Sequence, residues 1–144
     1  MGFKHPLARA ALREVIDLHA FFEAWLSGTV ENTHAVFSRL ESSLGKQFTM
    51  VSPSGARLQQ SDVIRWLRGA HGTKGKQGQF HIAIVEPELL LLRPPLVILR
   101  YVEEQAVGSV VTRRRSTAVF EDLAEGQEGV RWLALHETWI GLSS

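Results

Sequence analysis

The 144-residue sequence has no cysteine, which excludes disulfides, thiolate catalysis and cysteine-ligated metals. It has no excess charge of either sign. Lys and Arg number 16 against 15 Asp and Glu, a formal net charge of +1, so nothing points to nucleic acid or an anionic membrane as partner. Apolar runs such as Leu89–Leu92 stop at four residues, far short of the roughly 20 that span a bilayer. No apolar segment follows Met1–Pro6, so this stretch does not read as a signal peptide, and Pro6 stands where a myristoylation motif wants Ser or Thr. A cytoplasmic protein, bound to neither membrane nor nucleic acid, is the expectation.

Motif absences narrow the chemistry further. No two of the six histidines have helical i, i+4 spacing and none forms His-x-His, so a metal site is not expected. The loop Gly72-Thr73-Lys74-Gly75-Lys76 lacks the Gly-Lys-Ser/Thr ending of a phosphate loop and reads as a mobile basic connector. No cofactor motif is present, and a cofactor-free protein is expected. Aspartate is scarce, with Asp17, Asp62 and Asp122 the only examples. Asp17 belongs on a solvated helix face, Asp62 in a first helical turn and Asp122 at a strand end.

What is present is a chain with 44% apolar and 22% charged residues, ordinary for one globular domain over residues 1–144, with a core from about 7 to 140. Leu12, Val15, Ile16, His19, Phe22 and Leu26 predict a helix over Leu7–Leu26, with Gly28 ending it in the left-handed conformation. Phe21, Phe22 and Trp25 crowd its C-terminal half. A second helix is predicted from Thr33 to Leu44, capped by Asn32 and stopped by Gly45, with Val36, Phe37, Leu40 and Leu44 buried. Lys46–Ser52 and Ala56–Gln59 read as a small hairpin around Pro53-Ser54-Gly55. Ser61 caps a third helix, Asp62–Ala70.

Strands follow to the end: Gln79–Glu86, Leu89–Arg93, then, after an interruption at Pro94-Pro95, Leu96–Val107, Val110–Asp122 and Val130–Ile140. The last two are joined by the turn Leu123–Gly129. Helices first and long strands after give an α+β domain. Apolar residues on both strand faces, as in Val97-Ile98-Leu99, require cover on both sides; helices supply one, and a second subunit is expected on the other.

The aromatic first helix, Phe48–Gly55, the helix start Ser61-Asp62-Val63-Ile64, Tyr101–Gln105 and Trp132 followed by His136-Glu137-Thr138 together resemble the nuclear transport factor 2-like superfamily. The nearest branch is the SnoaL-like polyketide cyclases and ketosteroid isomerase-like small bacterial proteins. The resemblance runs from Leu12 to Thr138. It implies a curved, mixed, mainly antiparallel sheet forming a cone closed by three N-terminal helices, the cystatin-like α+β barrel. It also implies a pocket at one end and dimers formed through outer sheet faces. Members include isomerases, dehydratases, cyclases and association domains, so fold alone decides no chemistry.

The candidate site lies on the strands. Strand alternation puts Glu137 on one face with Leu133, Leu135 and Trp139, opposite His136 and Thr138. In apolar surroundings a carboxylate becomes a general acid or base; alternatively, Glu137 pairs with an arginine of the neighbouring strand. Arg114 faces one side of its strand, Arg113 and Arg115 the other. An Arg100–Glu137 or Arg115–Glu137 pair inside an aromatic pocket is the sharpest expectation. Phe22, Trp25, Phe37 and Phe48 are the expected walls, Arg100, Tyr101 and Arg115 the expected polar contacts, and Glu137 or His136 the proton carrier. His19, on the apolar helix stripe, is either a hydrogen-bonded core histidine or a pocket residue. The function expected is binding of a small, largely apolar or aromatic ligand with a polar or anionic group, with isomerisation, dehydration or cyclisation as the chemistry. The rival is a non-catalytic homodimeric association module.

Overall fold

The computed structural model describes residues 2–75, 79–123 and 129–141. The last part of the basic loop, residues 76–78, and residues 124–128 of the expected turn lie outside them. The chain runs through α1 (Pro6–Ser27), α2 (His34–Ser43), β1 (Leu44–Val51), β2 (Arg57–Gln59) and α3 (Gln60–Arg68). It then forms β3 (Phe80–Arg93), β4 (Leu96–Val107), β5 (Val110–Asp122) and β6 (Val130–Trp139). One mixed sheet has the order β2-β1-β6-β5-β4-β3. Its neighbours are antiparallel except β1 and β6, which run parallel. The fold is the expected curved α+β cone.

Local chemistry explains the element ends. His5 Nδ1 accepts from the Leu7 N–H at 3.0 Å and Pro6 opens α1, a position where its missing N–H costs nothing. Gly28, at φ 75°, closes the helix. Thr33, one residue beyond the expected Asn32, caps α2 through a bond from Val36 N–H to Thr33 Oγ1. Asp62 accepts from the Gln59 N–H at 2.9 Å, so α3 starts before Ser61. Leu44 and Gly45 begin β1 instead of ending α2; a Cβ on Gly45 would come within 3.2 Å of the Trp132 carbonyl oxygen across the parallel pairing. Gly72 and Lys74 N–H groups donate to Trp25 and Leu26 carbonyls, so the described half of the basic loop is tied to α1.

Two departures shape the cone. The expected interruption at Pro94-Pro95 separates β3 from β4, but Gln79–Glu86 and Leu89–Arg93, read as two segments, form the single strand β3, with a register shift between Val85 and Glu88 and Glu86 at φ 53°. That bulge accommodates Pro87 and bends the strand. The buried stripe of α1 is also rotated from the expected one. Ala8, Ala11 and Val15 are fully buried whereas Ile16 is 49% exposed, because the small alanines let the helix lie close against the sheet.

The core joins helices to sheet with a few oriented bonds. Trp25 is 1% exposed and its indole donates to the Leu67 carbonyl at 2.7 Å, locking α1 to α3. Trp132 packs on Phe120 with ring centroids 4.5 Å apart and donates to Glu14 at 2.9 Å. Arg39 holds both oxygens of that carboxylate, at 3.0 and 3.3 Å, and also touches Ser43. One carboxylate thus ties α1, α2 and β6 together.

Candidate functional site

The concave face of the cone is set by strand register. Tyr101 pairs with Ser116 and Glu103 with Arg114 across β4 and β5, and Ser116 pairs with Glu137 across β5 and β6. Alternation then places Tyr101, Glu103, Gln105, Arg114, Ser116, Leu135 and Glu137 on the side that α1 covers. His19 comes down from α1 onto this row. Its Nδ1 donates to the Val15 carbonyl at 2.7 Å, and its Nε2 lies 3.1 Å from Glu103 Oε1. Gln105 donates to the other Glu103 oxygen at 2.6 Å. Beside this group, Arg114 Nη1 and Ser116 Oγ each donate to Glu137 at 3.3 Å. Arg114 in turn lies under Trp139, its guanidinium carbon 4.8 Å from the ring centre.

These groups form the polar floor of a cavity of about 100 Å³. Its walls are apolar, among them Leu18, Phe22, Leu40, Phe48, Met50 and Leu135, with Trp66 at the rim. Glu103 and Glu137 are 3% and 5% exposed and His19 is 4% exposed. Ionised groups at that depth are costly unless paired.

The two carboxylates are pulled in opposite directions. Burial drives Glu103 upward, but the charge and hydrogen bond of His19, with help from Arg114 and Gln105, prevail and hold it at about 2. Burial raises Glu137, and the nearby Glu103 charge raises it further, against Arg114 and His19. For His19, burial works downward, yet the charge and hydrogen bond of Glu103 leave it above its ordinary value. Burial and the same two carboxylates push the Tyr101 hydroxyl well up; its oxygen has no hydrogen-bond partner among the described residues. The floor is therefore an ion pair, His19–Glu103, next to a carboxyl group, Glu137, that is easily protonated.

The expected residues divide by face. Glu137, Phe22 and Phe48 border the cavity. Trp25 and Phe37 do not: they pack on each other within the helical core, ring centroids 5.0 Å apart and planes tilted by 47°. Tyr101 is buried on the concave face beside the floor. Arg100, Arg115 and His136 stand on the opposite, outer face, where Arg100 holds Glu88 at 2.9 Å. The expected Arg100–Glu137 and Arg115–Glu137 pairs are thus corrected to Arg114–Glu137, and His136 is turned away from the cavity. Register is the reason, since Arg115 faces Thr138 and Arg114 faces Trp139. A shift between Val119 and Phe120 also moves Leu133 off the face of Glu137 and puts Trp132 there.

Gln105, Met50 and Trp66 were not singled out by sequence, and Arg114 was one of three neighbouring-strand arginines, with Arg113 and Arg115, open to Glu137 in the alternative reading, the one that the Arg114–Glu137 contact matches. For Arg114 a signal existed. Val107 pairs with Val110 around Gly108-Ser109, a two-residue turn of the kind that sets hairpin register, and it dictates the Glu103–Arg114 pair. Among the described residues no group of three or more His, Asp or Glu is arranged to hold a metal. No described helix is long and apolar enough to cross a membrane.

Comparison with known proteins places this geometry. The model of the family described as sucrose-6-phosphate phosphohydrolase C-terminal matches residues 11–141. The chain belongs to that family. A curated relative is sucrose-phosphatase 1 of Nicotiana tabacum, 28% identical over 134 residues, which cover 88% of this chain and 30% of that protein. The chain therefore spans under a third of the length of this relative. Among solved structures, an NTF-2 like protein of unknown function from Pseudomonas aeruginosa superimposes with a TM-score of 0.80. It is 26% identical over 92% of this chain and 99% of its own. The CaMKII hub of S. rosetta shares the fold, with a TM-score of 0.67 and 12% identity over 92% of this chain and 95% of that one. The family's fold is thus nuclear transport factor 2-like.

Proposed function

We propose that this chain is a small-molecule-binding domain whose conical pocket holds its ligand against a proton-exchanging carboxyl group, Glu137. The observation that carries this reading is the position of Glu137: 5% exposed, bordering an apolar cavity, and met by two hydrogen bonds of 3.3 Å. A buried carboxyl group costs stability when it ionises, and bonds this long offset little of that cost. Such a group suits a site that exchanges a proton with a bound molecule. Isomerisation, dehydration or cyclisation fits this arrangement, with Glu137 as proton carrier and Phe22 and Phe48 as walls. The domain would act as a cytoplasmic, cofactor-free homodimer.

Whole relatives of this family are named sucrose-phosphatases. We propose that in such proteins this domain binds or associates, and that phosphate-ester hydrolysis belongs to the remainder of the chain. The three aspartates here lie on separate elements; Asp17 and Asp122 are exposed, and Asp62 is engaged at the start of α3. The test is a thermal-shift screen of the protein and its Glu137→Gln variant against small apolar, aromatic and saccharide compounds. A ligand well above its dissociation constant raises stability by a few kcal/mol. A hit on the native protein that weakens in the variant supports the reading; identical responses remove Glu137 from the site.

A second reading, the non-catalytic association module, is favoured by the shared fold with a CaMKII hub and by the outer face of β4–β6. There Arg115 and His136 are exposed beside Trp139. Sedimentation velocity on the native protein and on Arg115→Glu decides it. A dimer that dissociates in the variant supports association through this face, and a concentration-independent monomer removes it.

A further inference from the structure

The pocket floor has a charge count that restricts its ligand. Its cations are His19 and Arg114 and its anions Glu103 and Glu137, two against two. Both cations are already committed, His19 to Glu103 at 3.1 Å and Arg114 to Glu137 at 3.3 Å. No third cation lines the cavity among the described residues. A carboxylate or phosphate brought to this floor would meet the ionised Glu103, would favour the neutral form of Glu137 and would find no uncommitted cation, in a buried site where like charges repel by several kcal/mol.

The walls restrict it in another way. Apart from the floor, the lining side chains are hydrocarbon, thioether or aromatic, and Gln105 is spent on Glu103. Away from the floor a saccharide would bury hydroxyls against these walls with nothing to bond, each at a cost of about 1–3 kcal/mol. One donor residue at the floor keeps N–H groups in reserve: Arg114 lines the cavity and gives a single hydrogen bond, from Nη1 to Glu137, which leaves the rest of its five guanidinium N–H donors for a ligand. The cavity, about 100 Å³, has the volume of roughly three waters in the liquid, which limits the enclosed part of a ligand to about one small ring. Beyond it stands Trp66, 65% exposed at the rim, an aromatic surface for whatever part of the ligand projects.

We infer, building on the pocket reading above, that the ligand is an uncharged, mainly hydrocarbon ring compound whose single acceptor oxygen is received by Arg114. This excludes both the sugar and the phosphate that the names of the relatives suggest. It makes Arg114, together with the two-against-two floor, the determinant of specificity.

The test uses one ring with four polar groups: cyclohexanone, cyclohexanol, cyclohexanecarboxylate and cyclohexyl phosphate, alongside sucrose and sucrose 6-phosphate. Each is titrated into the intact chain while the indole N–H signals of Trp66 and Trp132 are followed by NMR. The expected result is saturable shifts with the ketone and alcohol, binding about tenfold or more tighter than the two anions, and no saturable shift with either sugar. Arg114→Lys keeps the charge but loses the planar guanidinium with its spare N–H donors and weakens the ketone severalfold, while Arg115→Lys leaves it unchanged. Should Arg114→Lys not fold, Leu135→Phe, which fills the cavity from the wall, abolishes ketone binding in its place. Tighter binding of an anion, or of either sugar, overturns the inference and leaves the pocket reading standing. Saturable binding of none of the six overturns both.

Discussion

Replacing His19 by Leu removes the cation from a buried pair and leaves Glu103 ionised with Gln105 and a more distant Arg114. The cost follows from the position of Glu103, held at about 2 against an ordinary 4.5. That net difference, from 4.5 to about 2, amounts to about 3 kcal/mol at 1.36 kcal/mol per pH unit; burial opposes it and Arg114 and Gln105 contribute to it, so it sets the order of magnitude for losing His19. It agrees with the roughly 3–5 kcal/mol that follows loss of one partner from a buried pair. For a domain of this size it lowers Tm by on the order of 10 °C. The double variant His19→Leu/Glu103→Leu removes both charges and refills the space with hydrocarbon, so it lies within about 1 kcal/mol of the native protein. Urea unfolding at pH 7 followed by tryptophan fluorescence gives all corners of the cycle. The pair also sets the pH response. Because Glu103 is depressed, its contribution is complete above 4.5 and is lost as pH falls towards 2. Because His19 is raised, its contribution is present below 6.5 and fades as pH rises through its folded value. These are two views of one interaction and do not add. A single variant costing under about 1 kcal/mol, or a double variant as unstable as the sum of the singles, would refute the reasoning.

Glu137 carries the opposite sign. Its folded pKa is raised, so native stability declines as pH climbs from 4.5 through that value, and in Glu137→Gln this decline disappears from urea midpoints measured between pH 4 and 8. Trp25→Ala empties a fully buried site and costs about 3–5 kcal/mol, whereas Trp25→Phe mainly strands the Leu67 carbonyl and costs about 1–3 kcal/mol; the Trp25→Phe loss in chemical denaturation reports the α1–α3 bond, and the difference between the two reports the packing of the ring. Arg39→Ala releases Glu14, which Trp132 then holds alone; with partial exposure allowed for, thermal unfolding registers a loss of about 1–2 kcal/mol. Arg100→Ala, on the outer face, leaves ligand-induced thermal shifts intact, while Arg114→Ala removes them.

Much of the fold was legible because its signals are local. The bounds of β4 and β5 coincide with their periodicity, and α1 ends at Gly28 because a left-handed residue is needed there. Glu137 stood out as a carboxyl group among apolar neighbours before any face was known. The choice of face was not legible, since alternation divides a strand into two sets without saying which is inside. That choice turned on where α1 lies, and the N-terminal half of α1 sits on Ala8, Ala11 and Val15 with Ile16 left exposed. Once it is placed, Arg114 is enclosed and Arg100, Arg115 and His136 are left outside.

By itself, then, the sequence determined the kinds and order of elements, the exclusion of thiol chemistry and the presence of a misplaced-looking carboxyl group on a strand. Tertiary structure alone decided which charges meet. His19 and Glu103 are 84 residues apart, and β1 meets β6 in parallel from opposite ends of the chain. The shift at Phe120 exchanges Leu133 for Trp132 on the inner face. Contacts of that range depend on a register that a one-residue slip reverses, and no periodicity within a single strand records it.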